Sequence, residues 1–314
     1  MKTKEVKGLV SIIIPSRNEE KNIENAINYW LNQDYPKKEI IIVDDSKDNT
    51  RKIIKKIMKK TKKVSLINDI GKGTAVARNL GLKKARGEFV VFSDADISKE
   101  VFDKTLLSRM VESFDKKTDC ARIKYLPLVN KEILRSVVNI KSFGIYSDVR
   151  RHLPEIYRRS ILNEVNGFNE KLVFGEDRDL AMRVIKRSRR IGIAKGHRLV
   201  DSNIKSFKRL WKQGIWYGKS IEKYVKESKN FLPLIKIMVY GVSVLLLPFS
   251  LLSSYFLIPF AFIFFFSLIR TIKNTGVKYL PYSLLVPFID IFQSFAVFIG
   301  FIKKKLIKSE NLLR

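Results

Sequence analysis

Residues 88–96 read Glu88-Phe89-Val90-Val91-Phe92-Ser93-Asp94-Ala95-Asp96, an apolar run that ends on two carboxylates two positions apart. A short β-branched and aromatic run of this kind forms a buried strand, and the polar residues after it start a loop. Three similar runs come earlier, at 10–15, 39–43 and 64–67, with helical patterns between them at 21–32, 50–60 and 74–85. Strands alternating with helices imply βαβ units and therefore an α/β fold, a mostly parallel, Rossmann-like sheet flanked by helices. Such sheets take ligands beyond the carboxyl ends of their strands. Those ends carry Pro15-Ser16-Arg17-Asn18-Glu19-Glu20, then Asp44-Asp45-Ser46, then Ser93-Asp94-Ala95-Asp96. One such cluster alone reads as a helix cap, as Asp48 or Asn49 before Thr50 would be. Three on one sheet edge ask for a common ligand.

Asp94 and Asp96 can approach one hard cation. Mg²⁺ and Mn²⁺ take oxygen ligands and keep substrate phosphates in their shell, and a cation on a diphosphate neutralises the charge of a leaving group. A second acidic site, Phe174-Gly175-Glu176-Asp177-Arg178-Asp179, precedes an amphipathic helical stretch at 180–186. Its acids either complement the helix dipole or supply a carboxylate that deprotonates an acceptor hydroxyl. Gly71-Lys72-Gly73-Thr74 opens the helix at 74–85, where glycines let backbone N–H groups approach an anion. The sequence is not a Walker A loop, which argues against nucleoside triphosphatase chemistry.

Lys and Arg outnumber Asp and Glu by 61 to 31 in 314 residues, a formal charge of +30 that favours anionic partners or marks a lysine-rich solvated surface. Cys120 is the single cysteine and His152 and His197 the two histidines, so neither a disulfide nor a His/Cys zinc site is expected. The apolar run at 9–14 is too short for a secretory signal, so residues 1–230 are expected in the cytosol as the catalytic domain. Residues 231–314 read as a membrane region. From 234 to 269 the one charge is Lys236, and that length makes two bilayer helices joined as a hairpin. A third apolar segment at 280–302 carries Asp290 and Gln293 and ends in Lys303-Lys304-Lys305. The positive-inside rule puts both flanking basic stretches in the cytosol, which suits the hairpin and conflicts with a third full crossing unless that segment is re-entrant or interfacial. Asp290 is then either a functional intramembrane acid or an acid in a water-exposed or interfacial part of that segment.

The ordered set Ile13-Ile14-Pro15-Ser16-Arg17-Asn18-Glu19, Val43-Asp44-Asp45-Ser46, Ala77-Arg78-Asn79-Leu80-Gly81, Arg86-Gly87-Glu88 leading into Asp94-Ala95-Asp96, Gly167-Phe168 and Glu176-Asp177 resembles the family 2 glycosyltransferases. The likeness runs over 10–217, and dolichyl-phosphate sugar synthases and polysaccharide-assembly transferases share it. It implies a GT-A fold, a nucleotide-sugar donor and inverting transfer of a sugar with Mg²⁺ or Mn²⁺. By the same resemblance Pro15, Arg17 and Glu19 line the nucleoside pocket, Asp45 contacts the base, and Arg78 organises the donor site. Asp94 contacts the donor, Asp96 holds the metal with Asp94, and Asp177 is the catalytic base beside Glu176. Processive members carry Gln-x-x-Arg-Trp after the base. Here Gln213 is followed by Gly214-Ile215-Trp216, which points to one sugar per encounter. The basic and aromatic residues at 208–219 would meet either donor phosphates or lipid headgroups. His197 reads as structural or diphosphate-proximal rather than as a base. A polyprenyl phosphate or lipid-linked saccharide is the expected acceptor, with membrane lipids as partners and no nucleic acid. A nucleotidyltransferase on a similar scaffold, or a non-catalytic basic membrane-associated binding protein, are the competing readings. The first would open strand one on a Gly-rich basic loop, and the second would tolerate loss of Asp94, Asp96 and Asp177.

Overall fold

The computed structural model describes residues 4–69, 71–146, 153–202, 204–228 and 231–310. The chain alternates β1 (Val6–Ser16), α1 (Ile23–Leu31), β2 (Lys38–Asp44), α2 (Thr50–Met58), β3 (Val64–Asn68), α3 (Thr74–Lys84) and β4 (Gly87–Phe92). It continues through α4 (Leu106–Glu112), β5 (Thr118–Pro127), α5 (Ile133–Tyr146), β6 (Ile156–Arg158), α6 (Arg159–Glu164), α7 (Glu176–Arg187) and β7 (Arg190–Val200). The remaining helices are α8 (Phe207–Ser228), α9 (Leu232–Leu246), α10 (Ile258–Thr275), α11 (Leu280–Ser283) and α12 (Val286–Glu310).

The chain packs as two units, one of residues 1–126 with 148–201, the other of 127–147 with 202–314. The first holds a seven-stranded sheet in the order β3-β2-β1-β4-β6-β5-β7. β1 pairs in parallel with β2 and β4, β2 pairs in parallel with β3, and β6 runs antiparallel to β4 and β5. β1 holds the centre of the parallel half because Val10, Ile12, Ile13 and Ile14 are buried on both faces. α3 lies close against this sheet through Gly81, where a Cβ would stand 2.4 Å from the Ile13 side chain. The expected parallel α/β core is present, and the register Ser16–Asp44 aligns the carboxyl ends of β1 and β2.

The second unit is helical. Its helices Leu232–Leu251, Ser254–Thr275 and Val286–Lys305 are long and apolar enough to cross a membrane. Leu251, Leu252, Tyr255 and Phe262 stand 70% or more exposed, a surface that water would penalise and lipid would not. α8 runs parallel beside α12 at backbone contact. A Cβ on Gly218 would lie 2.0 Å from the Val297 carbonyl, and one on Gly300 2.3 Å from that of Ile215. Farther along, Glu222 binds Lys304 and Lys305 at 3.5 and 3.0 Å. Asp290 is 1% exposed, so the water-exposed reading of this acid is overturned.

Candidate functional site

The polar loops after β1 and β2 are tied to each other. The Asn18 N–H donates to Ser46 Oγ (2.7 Å), the Lys47 N–H to Asn18 Oδ1 (3.0 Å), and the Glu19 N–H to Thr50 Oγ1 (2.8 Å). Asn18 takes a left-handed conformation, φ 56°, to make this turn. The two adjacent aspartates of the second loop divide their work. Asp44 is fully buried and accepts bonds from Ser16 Oγ (2.7 Å), Ser46 Oγ (2.6 Å) and Arg51 Nε (3.1 Å), which locks the strand ends together. Asp45 instead faces a cavity and lies 3.6 Å from Arg17 Nε.

That cavity, about 330 Å³, is lined by Pro15, Arg17, Glu19 and Asp45 from the first two loops and by Asp94 and Asp96 from the third. Six of the seven residues expected to meet donor and cation therefore share one space at the strand ends; Arg78, the seventh, is not among its lining residues. Sequence reasoning missed Asp69, which follows β3 and also lines the cavity. The carboxyl-end rule, applied to β3 as to its neighbours, would have found it. Gly71 and Gly73 close the same side with φ of 70° and 107°. A Cβ at Gly71 would come within 2.8 Å of Asp45 Oδ2, so only glycine brings this loop onto the aspartate.

Arg78 projects from α3 and joins the distant acidic sites. Its Nη2 donates to Asp94 Oδ1 (3.1 Å) and its Nη1 to Glu176 Oε1 (2.9 Å), and its guanidinium lies over the Phe168 ring, 5.3 Å from the centroid. Arg78 is 9% exposed and its Nε has no hydrogen-bond partner among the described residues. Glu176 and Asp177 open α7 behind Gly175, which is left-handed at φ 72°. Burial raises the Glu176 carboxyl above its ordinary range; Arg78 opposes that and neighbouring Asp177 adds to it. Asp177 is exposed, and its Oδ1 accepts the Arg178 N–H at 2.7 Å. Glu176 and Asp177 are not among the residues that line the cavity; Arg78 connects Glu176 to its rim, and Asp177 is the next residue along α7. His197 is exposed on β7, and its carbonyl accepts from Arg109 (3.2 Å).

Among the described residues, no three His, Cys, Asp or Glu side chains converge as a metal site. Asp94, whose side chain is 72% exposed, and Asp96 offer oxygen donors to the cavity. A pair of carboxylates fits a hard divalent cation that completes its shell with substrate phosphates and water.

Residues 11–152 match the model of glycosyl transferase family 2. This region of the chain is that of a family 2 glycosyltransferase. Among its family 2 relatives, a poly(ribitol-phosphate) beta-N-acetylglucosaminyltransferase, TarS of Staphylococcus aureus, is 33% identical over 199 residues, 58% of this chain and 33% of its own length. WfgD of Escherichia coli, a UDP-Glc:alpha-D-GlcNAc-diphosphoundecaprenol beta-1,3-glucosyltransferase, is 44% identical over 89 residues, 28% of this chain and 35% of its own. The chain thus spans about a third of the length of these two relatives. The solved structure of the mannosyltransferase PcManGT from Pyrobaculum calidifontis, in complex with GDP-Man and Mn2+, covers 94% of this chain and 86% of its own at a TM-score of 0.57 and 18% identity. That likeness shows the GT-A fold, the architecture the family 2 motifs imply.

Proposed function

We infer that the protein transfers one sugar from a nucleotide-sugar donor to a membrane-associated acceptor, with inversion at the anomeric carbon. The observation that carries this reading is Arg78, which holds Asp94 at the cavity and Glu176 at the head of α7 in one hydrogen-bonded bridge. Pro15, Arg17, Glu19 and Asp45 would receive the nucleoside. Asp96, with Asp94, would hold Mg²⁺ or Mn²⁺, which when bound offsets the charge of the departing diphosphate.

Glu176 is bound to Arg78 and positions it. Asp177 is exposed and among the described residues accepts one local backbone bond, so it is the carboxylate able to take a proton from an acceptor hydroxyl. The acceptor oxygen bonds to the anomeric carbon, the bond from that carbon to the diphosphate oxygen breaks, and the nucleoside diphosphate leaves with the electron pair. A lipid acceptor is supported by the apolar helices and by the diphosphoundecaprenol-linked acceptor of the Escherichia coli relative. In this reading α9 and α10 cross the membrane as a hairpin with the site-bearing residues on the cytosolic side. α12 stays at the surface, because the helix along it, α8, carries Lys212, Lys219, Glu222 and Lys223.

The test is release of nucleoside diphosphate from a panel of nucleotide sugars by the full chain in detergent, with Mn²⁺ or Mg²⁺ and extracted membrane lipids. Asp177→Asn is expected to lower transfer ~100-fold or more while donor still binds, a magnitude within the range for general base catalysis. Turnover that survives Asp96→Ala would remove the metal assignment. An unchanged rate in Asp177→Asn would mean that the acceptor is a phosphate, already anionic and in no need of a base. Release of pyrophosphate in place of the diphosphate would overturn the reading.

A further inference from the structure

Asp290 is the single acidic residue between 232 and 302, and it is enclosed by cations of the helical unit. Lys141 Nζ of α5 lies 3.0 Å from its Oδ1, and Arg270 Nη2 and Ser267 Oγ of α10 donate to its Oδ2 at 2.6 and 2.5 Å. Lys141 also donates to Gln293 Oε1 (2.5 Å), and Gln293 donates in turn to Gln213 Oε1 (3.1 Å). Lys236 of α9 stands over the Tyr240 ring, 5.2 Å from its centroid, and makes no ion pair among the described residues. One carboxylate thus faces Lys141, Arg270 and Lys236, and positive charge is left over.

Two donors in the cluster are unused. Tyr240 is 5% exposed and its hydroxyl is buried without a partner among the described residues; Arg270 Nε is in the same state. Asp290 and Arg270 both act electrostatically on Tyr240. Buried donors beside surplus positive charge in an apolar setting are costly unless an anion accepts from them.

The depth of the cluster identifies the anion. Lys236 is four residues past the start of the span Leu232–Leu251, and Arg270 five residues before the end of Ser254–Thr275. At 1.5 Å per residue both lie about 6 to 8 Å inside the same end of the hairpin. That is the level where headgroups meet acyl chains. The geometry points to a binding site for the phosphate of a membrane lipid, received by Arg270 Nε, the Tyr240 hydroxyl and the Lys236 ammonium, with Asp290 holding Arg270 and Lys141 in place. The site rests on the reading of α9 and α10 as a membrane hairpin and is independent of sugar transfer.

The test is lipid retention by the full chain in phosphatidylcholine nanodiscs, doped with labelled phosphatidic acid or with a labelled polyprenyl monophosphate. Inorganic phosphate serves as a third probe, and flotation of the nanodiscs reports insertion separately. Retention of either phosphate lipid above phosphatidylcholine supports the site, and the preferred one names its source. Tyr240→Phe, which loses a hydroxyl that bonds nothing among the described residues, should weaken retention about tenfold, the size of a hydrogen bond to a charged group. Lys236→Gln should do likewise with insertion unchanged. Binding of inorganic phosphate alone, or retention unaltered in both variants, would overturn the proposal. In that case the cluster only ties helices together.

Discussion

Arg78 spans 16 residues to Asp94 and 98 to Glu176, and its planar fork lets one side chain bind both carboxylates. Lysine has a single charged nitrogen and cannot reproduce that geometry, so Arg78→Lys should lower turnover by ~10-fold or more with donor sites otherwise intact. Comparison of kcat and donor KM would reveal it; unchanged kinetics would mean that the bridge is idle in catalysis. Arg78→Ala leaves Glu176 buried without its cation and should cost roughly 3 kcal/mol at neutral pH, less in mild acid where Glu176 can take up a proton. Glu176 also sets a pH signature. Burial raises its carboxyl above 4.5, against Arg78 and with Asp177, so the folded protein holds that proton more tightly than the unfolded chain. The stability this contributes is complete below 4.5 and is lost as pH rises through the higher folded value. Glu176→Gln removes that dependence. Melting temperatures of wild type and variant, followed from about pH 4 to 7, should therefore drift against wild type as pH rises. A constant difference across that range would exclude the buried, proton-binding Glu176 described above.

Strands β1 to β4 were legible because each carries a short, mostly apolar run; those of β1, β2 and β4 are buried on both faces, which suits the interior of a sheet, whereas β3 is the half-exposed edge. β5 to β7 were not. β5 carries Asp119, Arg122 and Lys124, which break the pattern. Asp119 is tolerated inside because Arg189, 70 residues away, donates to both of its oxygens, by its backbone N–H and by Nη2. β6 has three residues and exists through its pairing with β4 and β5. In the site, the cavity residues were readable from strand ends, whereas the division between Asp44 and Asp45 and the bridge through Arg78 depend on side-chain directions that spacing does not encode. α8 and α12 carry their own signal in Gly214, Gly218 and Gly300, which permit backbone contact. Gly218→Leu must push the helices apart, since its Cβ would meet the Val297 carbonyl and the Phe301 N–H. A loss of about 1–3 kcal/mol or more is expected, as for overpacked cores. It would be read as faster amide exchange in α8 with α1 to α4 unaffected; equal exchange throughout would refute close packing of this pair.

At the scale of the whole molecule, a net charge of +30 and three apolar helices have to be reconciled with one bilayer. Basic residues gather at 270–278 and 303–305, after the second and third apolar stretches. If all three helices crossed, these two groups would lie on opposite sides, against the charge bias of membrane proteins. If α9 and α10 cross and α12 does not, both lie on the cytosolic side. The pairing of α12 with α8 supports the second arrangement, because Glu222 of α8 reaches Lys304 and Lys305 toward the end of α12, and a partner with that many charges fits poorly in hydrocarbon. The chain is well suited to a direct test. Cys120 is its single cysteine, fully buried, and burial also pushes its thiol up in pKa, so it should not react. Ser253→Cys, in the turn between α9 and α10, would then be labelled by an impermeant maleimide from outside intact cells. Lys278→Cys and Lys303→Cys would both be labelled only after the membrane is opened. Labelling of Lys303→Cys from outside would mean that α12 crosses after all, and that α8 follows it into a setting its charges do not fit.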